Sequence, residues 1–290
     1  MKNRAVKYAK ITLLLAISWL LIPQCGTSLL LGQDFRIDSQ VYIDAQRSPV
    51  SENITLFSSG IIYDFQLSDT GEIETEETVI FDSRQKTFTL LNHAKKTKLE
   101  LSDLQLISIY EGVRKETRLD YRSKFLTDDP FREDFDPNAN SITLSSPQIE
   151  YRYTGSQPSN VSILEQYNDF LHYFTLLNVS DPTKVPPFAR MELNKSIKRI
   201  GWLPAEIQIS VQQNHLFREA FSAKSKHSVR YQLSKQDQDR IDSIKRHWTQ
   251  YESVGLAEYR GFKKESKFKK PEIKTASFEE EIPGGQRNKK

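Results

Sequence analysis

Cysteine is nearly absent from these 290 residues: Cys25 is the sole example. One cysteine forms no internal disulfide and no multi-cysteine metal centre, so the fold rests on its core alone. Catalytic signatures are missing too. The sequence holds no Gly-x-Ser-x-Gly, no phosphate-cradling Walker loop, no Gly-x-Gly-x-x-Gly and no His-Glu-x-x-His. That argues against nucleotide-binding loops, hydrolase elbows and zinc peptidase helices. The five histidines, His93, His172, His215, His227 and His247, share no metal-ligand spacing. No cofactor is expected. Positive charge is also scarce where it would matter. The formal net charge of +3 comes from the two ends, and residues 34–262 sum to about −5. The body therefore lacks a basic nucleic-acid footprint, and no nucleic-acid partner is expected.

What is present begins with an address. Lys2, Arg4, Lys7 and Lys10 precede an apolar run from Ile11 to Ile22, which Pro23 breaks, and Gly26 and Ser28 follow. Basic, apolar and small-residue zones in that order make a secretory signal peptide over residues 1–33, with the mature chain starting at Asp34. The alternative is an uncleaved membrane anchor, although Pro23 and Gln24 interrupt the span. Cys25 is a poor acylation site, because no small residue immediately precedes it. The expected location is outside the inner membrane, in a bacterial periplasm or the extracellular medium, with no membrane span after cleavage. The lysine- and glutamate-rich residues 263–290 read as a disordered tail.

Between them, residues 34–262 read as one α+β domain. Four antiparallel strands follow one another: Thr55–Gln66, Glu72–Asp82, Lys86–Asn92 and Thr97–Leu101. They are preceded by an alternating strand at Phe35–Ala45, in which Phe35, Ile37, Val41 and Ile43 share a side. Gly60 inside the first strand marks a bulge or sharp bend. Ser102 caps a helix expected to reach about Leu126. Asp128–Asn140 reads as a loop, then Ser141–Leu144 and Gln148–Thr154 as strands. The clearest helix is Val161–Asn178, with Ile163, Tyr167, Phe170, Leu171 and Phe174 at three- and four-residue spacing, capped by Ser159 or Asn160. Phe188–Asn194, Ala205–Val211, Leu216–Ala223 and Ser228–Leu233 read as further strands. Ser234 caps a last helix, Lys235–Gln250, whose inward face carries Ile241, Ile244 and Trp248. The architecture is a curved, half-barrel-like antiparallel sheet packed by two to three helices.

Three candidate sites emerge. The sequence carries 16 Phe, 12 Tyr and 3 Trp, and a helix lying across a curved sheet can enclose an apolar cavity. Phe57, Phe65, Phe81, Phe88, Tyr167, Phe170 and Phe174 are its candidate lining, against the simpler reading that they fill the core. Asp134, Asp136 and Asn138 alternate as calcium-loop ligands do. Ala139 stands where such loops need glycine, however, and Ser145 where they need glutamate, which favours a solvated acidic loop. Glu72, Glu74 and Glu76 share a strand face. Carboxylate rows do acid–base work only when a cleft desolvates one member, and this row reads as solvent-facing.

The strand–turn–strand run Glu77–Leu101 resembles that of periplasmic lipoprotein carriers of the LolA/LolB kind. Val79-Ile80-Phe81-Asp82 and Phe88-Thr89-Leu90-Leu91 carry the likeness, and Gly201–Val211 is similar to a late strand of that family. The resemblance implies an incomplete antiparallel barrel capped by helices and holding lipid or acyl chains. The expected function is accordingly non-catalytic: binding a lipid or other apolar ligand, or an envelope protein partner. A structural or adaptor protein with a filled core is the alternative, and a carboxylate-dependent hydrolase the third.

Overall fold

In the computed structural model, residues 33–44, 46–67, 77–181, 187–214 and 219–261 are described, all within the compact unit Gly32–Lys290. Nearly all of the expected signal peptide, the expected tail and the carboxylate row Glu72, Glu74 and Glu76 lie outside the described residues.

Twelve strands form one open sheet. They are β1 (Phe35–Ile43), β2 (Ser51–Ser58), β3 (Ile61–Leu67), β4 (Glu77–Asp82), β5 (Thr87–Asn92), β6 (Thr97–Ser102), β7 (Arg132–Asp136), β8 (Ser141–Ser145), β9 (Ile149–Ser156), β10 (Leu203–Val211), β11 (Phe221–Arg230) and β12 (Glu252–Ser253). The order across the sheet is β12-β6-β5-β4-β3-β2-β1-β11-β10-β9-β8-β7. Two meanders, β1–β6 and β7–β11, therefore lie side by side and are joined by the antiparallel pairing of β1 with β11. Every pairing is antiparallel except β12 with β6.

The helices are α1 (Asp103–Leu119), α2 (Phe125–Asp128), α3 (Ser162–Leu177), α4 (Phe188–Ile200), α5 (Lys235–His247) and α6 (Leu256–Tyr259). α1, α3 and α4 cover one face, here called inner, and α5 covers the outer face of β2–β5. Cover on both sides explains why β2 reads Ile54-Thr55-Leu56-Phe57 with all four residues buried. Strands sandwiched in this way lose the apolar–polar alternation of a one-sided sheet.

Most elements match the expectations, and the differences have local causes. The expected single strand Thr55–Gln66 is a hairpin. Ser59 and Gly60 both take positive φ, 55° and 83°, and such two-residue turns suit the twist of antiparallel strands. The first long helix stops at Leu119, and α2 follows as a separate turn. The expected loop Asp128–Asn140 contains the edge strand β7, whose five residues are all exposed. Phe188–Asn194 is not a strand but the first half of α4. Its buried Phe188, Ala189, Leu193 and Ile197 recur at helical spacing, and Gly201, at φ 74°, closes the helix in the left-handed conformation. The expected strands around Leu216–Ala223 and Ser228–Leu233 are, from Phe221 on, the one continuous β11. These corrections raise the helices of 13 residues or more to four, above the expected two to three.

Two of the three expected caps form, and the helix α3 instead starts after Val161 without a side-chain cap. Ser102 and Ser234 each form a capping box, with Gln105 and Asp237 as the reciprocal partners. Asn160 accepts a hydrogen bond from the Ser162 N–H ahead of α3 at 3.0 Å. Asp237 also anchors α5 to the sheet. Its carboxylate meets Arg36 of β1 at 2.6 Å with Arg240 nearby, and its side chain is 2% exposed. Burial works against this carboxylate. The Ser234 hydroxyl and N–H and the Arg36 guanidinium outweigh it and hold its pKa below the ordinary range.

Candidate functional site

Antiparallel register lines side chains up in rungs across the inner face, and three successive rungs differ sharply. The first is Phe35, Phe57, Ile62, Phe81, Phe88 and Leu101, each opposite the next across β1 to β6. All six are buried. Phe35 stacks on Phe57 with ring centroids 3.9 Å apart. From α3, Phe170 meets Phe57 edge-on at 5.6 Å and Phe174 meets Phe88 at 5.4 Å. This rung is closed.

Two residues along, the second rung runs Val229, Ile37, Thr55, Asp64 and Val79. Two further on, the third runs His227, Ser39, Asn53 and Gln66. At about 3.4 Å per residue, the face passes from wholly apolar to wholly polar in about 14 Å.

Above the second and third rungs lies a cavity of about 360 Å³, within the range of roughly 300–1,000 Å³ typical of small-molecule sites. Tyr167, Phe170, Leu171 and Phe174 of α3 form its apolar roof, and Arg190 enters from α4. Arg260, just beyond α6, stands at its rim beside Glu77.

The polar floor is hydrogen-bonded. His227 sits between two serines, with Ser39 Oγ 2.9 Å from Nδ1 and Ser225 Oγ 2.9 Å from Nε2. Burial, assisted by the nearby Arg190 charge, lowers its pKa to about 4, so the imidazole is neutral at pH 7. Asp64 accepts from the Thr55 hydroxyl at 2.6 Å and from Asn53 Nδ2 at 3.0 Å. Glu77 accepts from the Tyr259 hydroxyl at 3.0 Å and from Arg260 at 3.3 Å. Both carboxylates in the cavity are thus engaged, and neither is paired with the other as acid–base work requires.

Arg190 is different. Its Nε donates to Asn194 Oδ1 at 3.0 Å, and Asn194 is fixed in turn by donating to the Leu171 carbonyl and the Thr175 hydroxyl. The described carboxylates in ion-pair range of a cation do not include a partner for Arg190. Its charge acts instead on the buried Tyr151, Tyr153 and Tyr167, whose phenol pKa values burial raises and Arg190 partly lowers.

Of the aromatic residues expected to line a cavity, Tyr167, Phe170 and Phe174 do so. Phe57, Phe81 and Phe88 belong to the closed first rung. Phe65 lies on the outer face with Ile54, Tyr63, Ile80 and Ile241, because Ile62, Asp64 and Gln66 take the inward positions of β3. Asp134 and Asp136 are exposed on β7, and Asp136 accepts the backbone N–H groups of Asn138 at 2.9 Å and Ala139 at 3.1 Å. Among the described residues no group of three or more His, Cys, Asp or Glu is placed to hold a metal ion. His215 lies outside the described residues.

The amino-acid order gives no sign of Ser225 or Arg190, and His227 stands out only as one of five histidines without ligand spacing. A signal for Ser39 exists: it breaks the apolar series Phe35, Ile37, Val41 on β1. A second hollow of about 440 Å³ lies on the outer face, between Tyr63 and Ile80 of the sheet and Ile244 and Trp248 of the α5 end.

No protein-family model matches the sequence, and no curated protein matches it. Among solved structures the likenesses are distant. PNGF-II is 11% identical with a TM-score of 0.32, over 77% of this chain and 31% of that one, so the chain spans about a third of PNGF-II. An uncharacterised conserved protein from Thermus thermophilus is 8% identical with a TM-score of 0.32, over 78% of this chain and 91% of that one. A LolA superfamily protein from Nitrosomonas europaea is 8% identical with a TM-score of 0.30, over 73% of this chain and 89% of that one. The fold itself, a large open antiparallel sheet with helices on it, follows from the chain's own strand order.

Proposed function

We propose that this protein is a non-catalytic binder of an amphipathic small molecule, held between α3 and the second and third rungs of the inner face. One observation carries the reading: the cavity is bounded by aromatic rings on one side and by hydrogen-bonded polar groups on the other. A filled core would not leave this volume, and a purely apolar ligand would set hydrocarbon against a floor of polar side chains and take water from them, at a cost in free energy. The basic and apolar residues ahead of Asp34 support a place in the cell envelope. Among the described residues no helix is long and apolar enough to cross a membrane.

Native mass spectrometry of the protein, expressed through a bacterial envelope and purified without detergent, tests this. The expected result is extra mass that denaturation releases as lipid or a lipid-like acid. A bare polypeptide mass, unchanged after incubation with mixed envelope lipids, overturns it and turns attention to a protein partner.

A further inference from the structure

We propose that the cavity selects ligands with a single carboxylate headgroup, and that the guanidinium of Arg190 takes it. This rests on the cavity being a ligand site at all, the reading given above.

Unspent charge points to this choice. Four charged residues line the cavity: Asp64, Glu77, Arg190 and Arg260. Glu77 and Arg260 pair at 3.3 Å, and Asp181 lies 4.0 Å from the same Arg260 nitrogen. Asp64 holds Thr55 and Asn53. Arg190 keeps its charge without a carboxylate within ion-pair range among the described residues. A partly buried cation without a counter-charge is costly, and an anion entering the cavity would relieve that cost. His227 adds no positive charge of its own, since its neutral ring is closed between Ser39 and Ser225.

The geometry narrows the anion. Asn194 occupies the Nε of Arg190 at 3.0 Å, which among the described residues leaves the two terminal nitrogens as a parallel pair of donors. That edge matches the two oxygens of a carboxylate. One guanidinium balances one negative charge, so a dianionic phosphate monoester would leave a charge uncompensated in the cavity. Asn194 is itself fixed by two hydrogen bonds to α3, so the fork is held in place before a ligand arrives, which spares the ligand the cost of ordering it. The roof residues Phe170, Leu171 and Phe174 then receive the hydrocarbon.

The test compares amphiphiles of equal chain length on the full chain: dodecanoate, 1-dodecanol and dodecyl phosphate, each below its micelle concentration at pH 7.5, by calorimetry and native mass spectrometry. Dodecanoate is expected to bind at least tenfold more tightly than either of the others. Arg190→Gln should abolish the preference for the acid over the alcohol, Arg190→Lys should keep part of it, and Arg199→Gln, an exposed change outside the cavity, should keep all of it. Circular dichroism melts of each variant identify any that fail to fold, and for those the comparison of ligands on the unaltered protein decides. Equal binding of acid and alcohol to the unaltered protein, tighter binding of the phosphate, or a preference that survives Arg190→Gln overturns the inference while leaving the binding function standing. Binding of none of the three overturns the binding function itself.

Discussion

The first and third rungs of the inner face share β1, β2 and β3, lie under the same helix and sit four residues apart, yet one is sealed and the other hollow. The first has phenylalanine at four of its six positions and receives two more rings from α3. The third has serine, asparagine, glutamine and histidine at the corresponding places. Polar side chains there bond within the sheet, Ser39 to His227 and Asn53 to Asp64, and no phenylalanine stands up to meet α3. The lesson is that the sheet builds its stability at one end and its opening at the other, and a single strand serves both.

Changes at the two rungs should therefore differ most. Phe57→Ala removes a fully buried ring from the sealed rung and is expected to cost about 4 kcal/mol, read from urea unfolding. Phe170→Ala, in the half-buried cavity roof, should cost clearly less. Equal losses would mean that the cavity is as tightly built as the core.

The outward side of β1 offers the next contrast. Asp237→Ala should cost about 3 kcal/mol, because it removes the buried carboxylate shared by Arg36 and Arg240 and leaves Arg36 with Asp38 alone. Asp237→Asn, which keeps the shape but loses the charge, should recover only a part.

Acid should find the third rung before the first. His227 has a folded pKa of about 4, against about 6.5 when unfolded. The unfolded chain thus takes up the proton first. The stability tied to this group is complete above pH 6.5 and falls as pH drops from 6.5 towards 4, by about 2 kcal/mol once its residual contact with the cavity is allowed for. His93 and His172, whose pKa values burial also lowers, add to the same slope. Unfolding free energies measured across that window should flatten in His227→Asn. A slope unaltered by the substitution would show that the ring is solvated. The loss from Asp237 comes lower, below the ordinary carboxylate range, since its folded pKa is depressed.

The smallest expected effect is that of Ser39→Ala, about 1 kcal/mol for one hydrogen bond to His227. Such a change would leave the sealed rung untouched in any melting curve.

Much of this plan is legible in residue order. α3 and α5 show themselves by three- and four-residue spacing, and Ser102 and Ser234 announce the helices they cap. The strands β4 to β6 are set off by polar turns. Phe188–Ile200 misleads because a short apolar run fits strand and helix alike until Gly201 is recognised as its left-handed stop. The site is harder to read. Ser39 announces itself as a gap in an apolar series, but its neighbours Asn53 and His227 come from strands whose pairing is set by register, and His227 lies 188 residues away. Arg190 is an ordinary surface-type residue until α4 is laid over the sheet.

The pairing of β1 with β11 also sets a timetable. While the chain is being made, β1 through β6 can zip together as soon as they emerge, but one edge of β1 has no partner until Phe221–Arg230 appears. At roughly 5–20 residues per second, that wait lasts about ten to thirty-five seconds. For that interval the nascent meander presents a bare ladder of N–H and C=O groups beside Phe35 and Ile37, and another copy or a strand-pairing stranger can occupy it. Faithful assembly then requires that this edge stay unpaired until the second meander arrives.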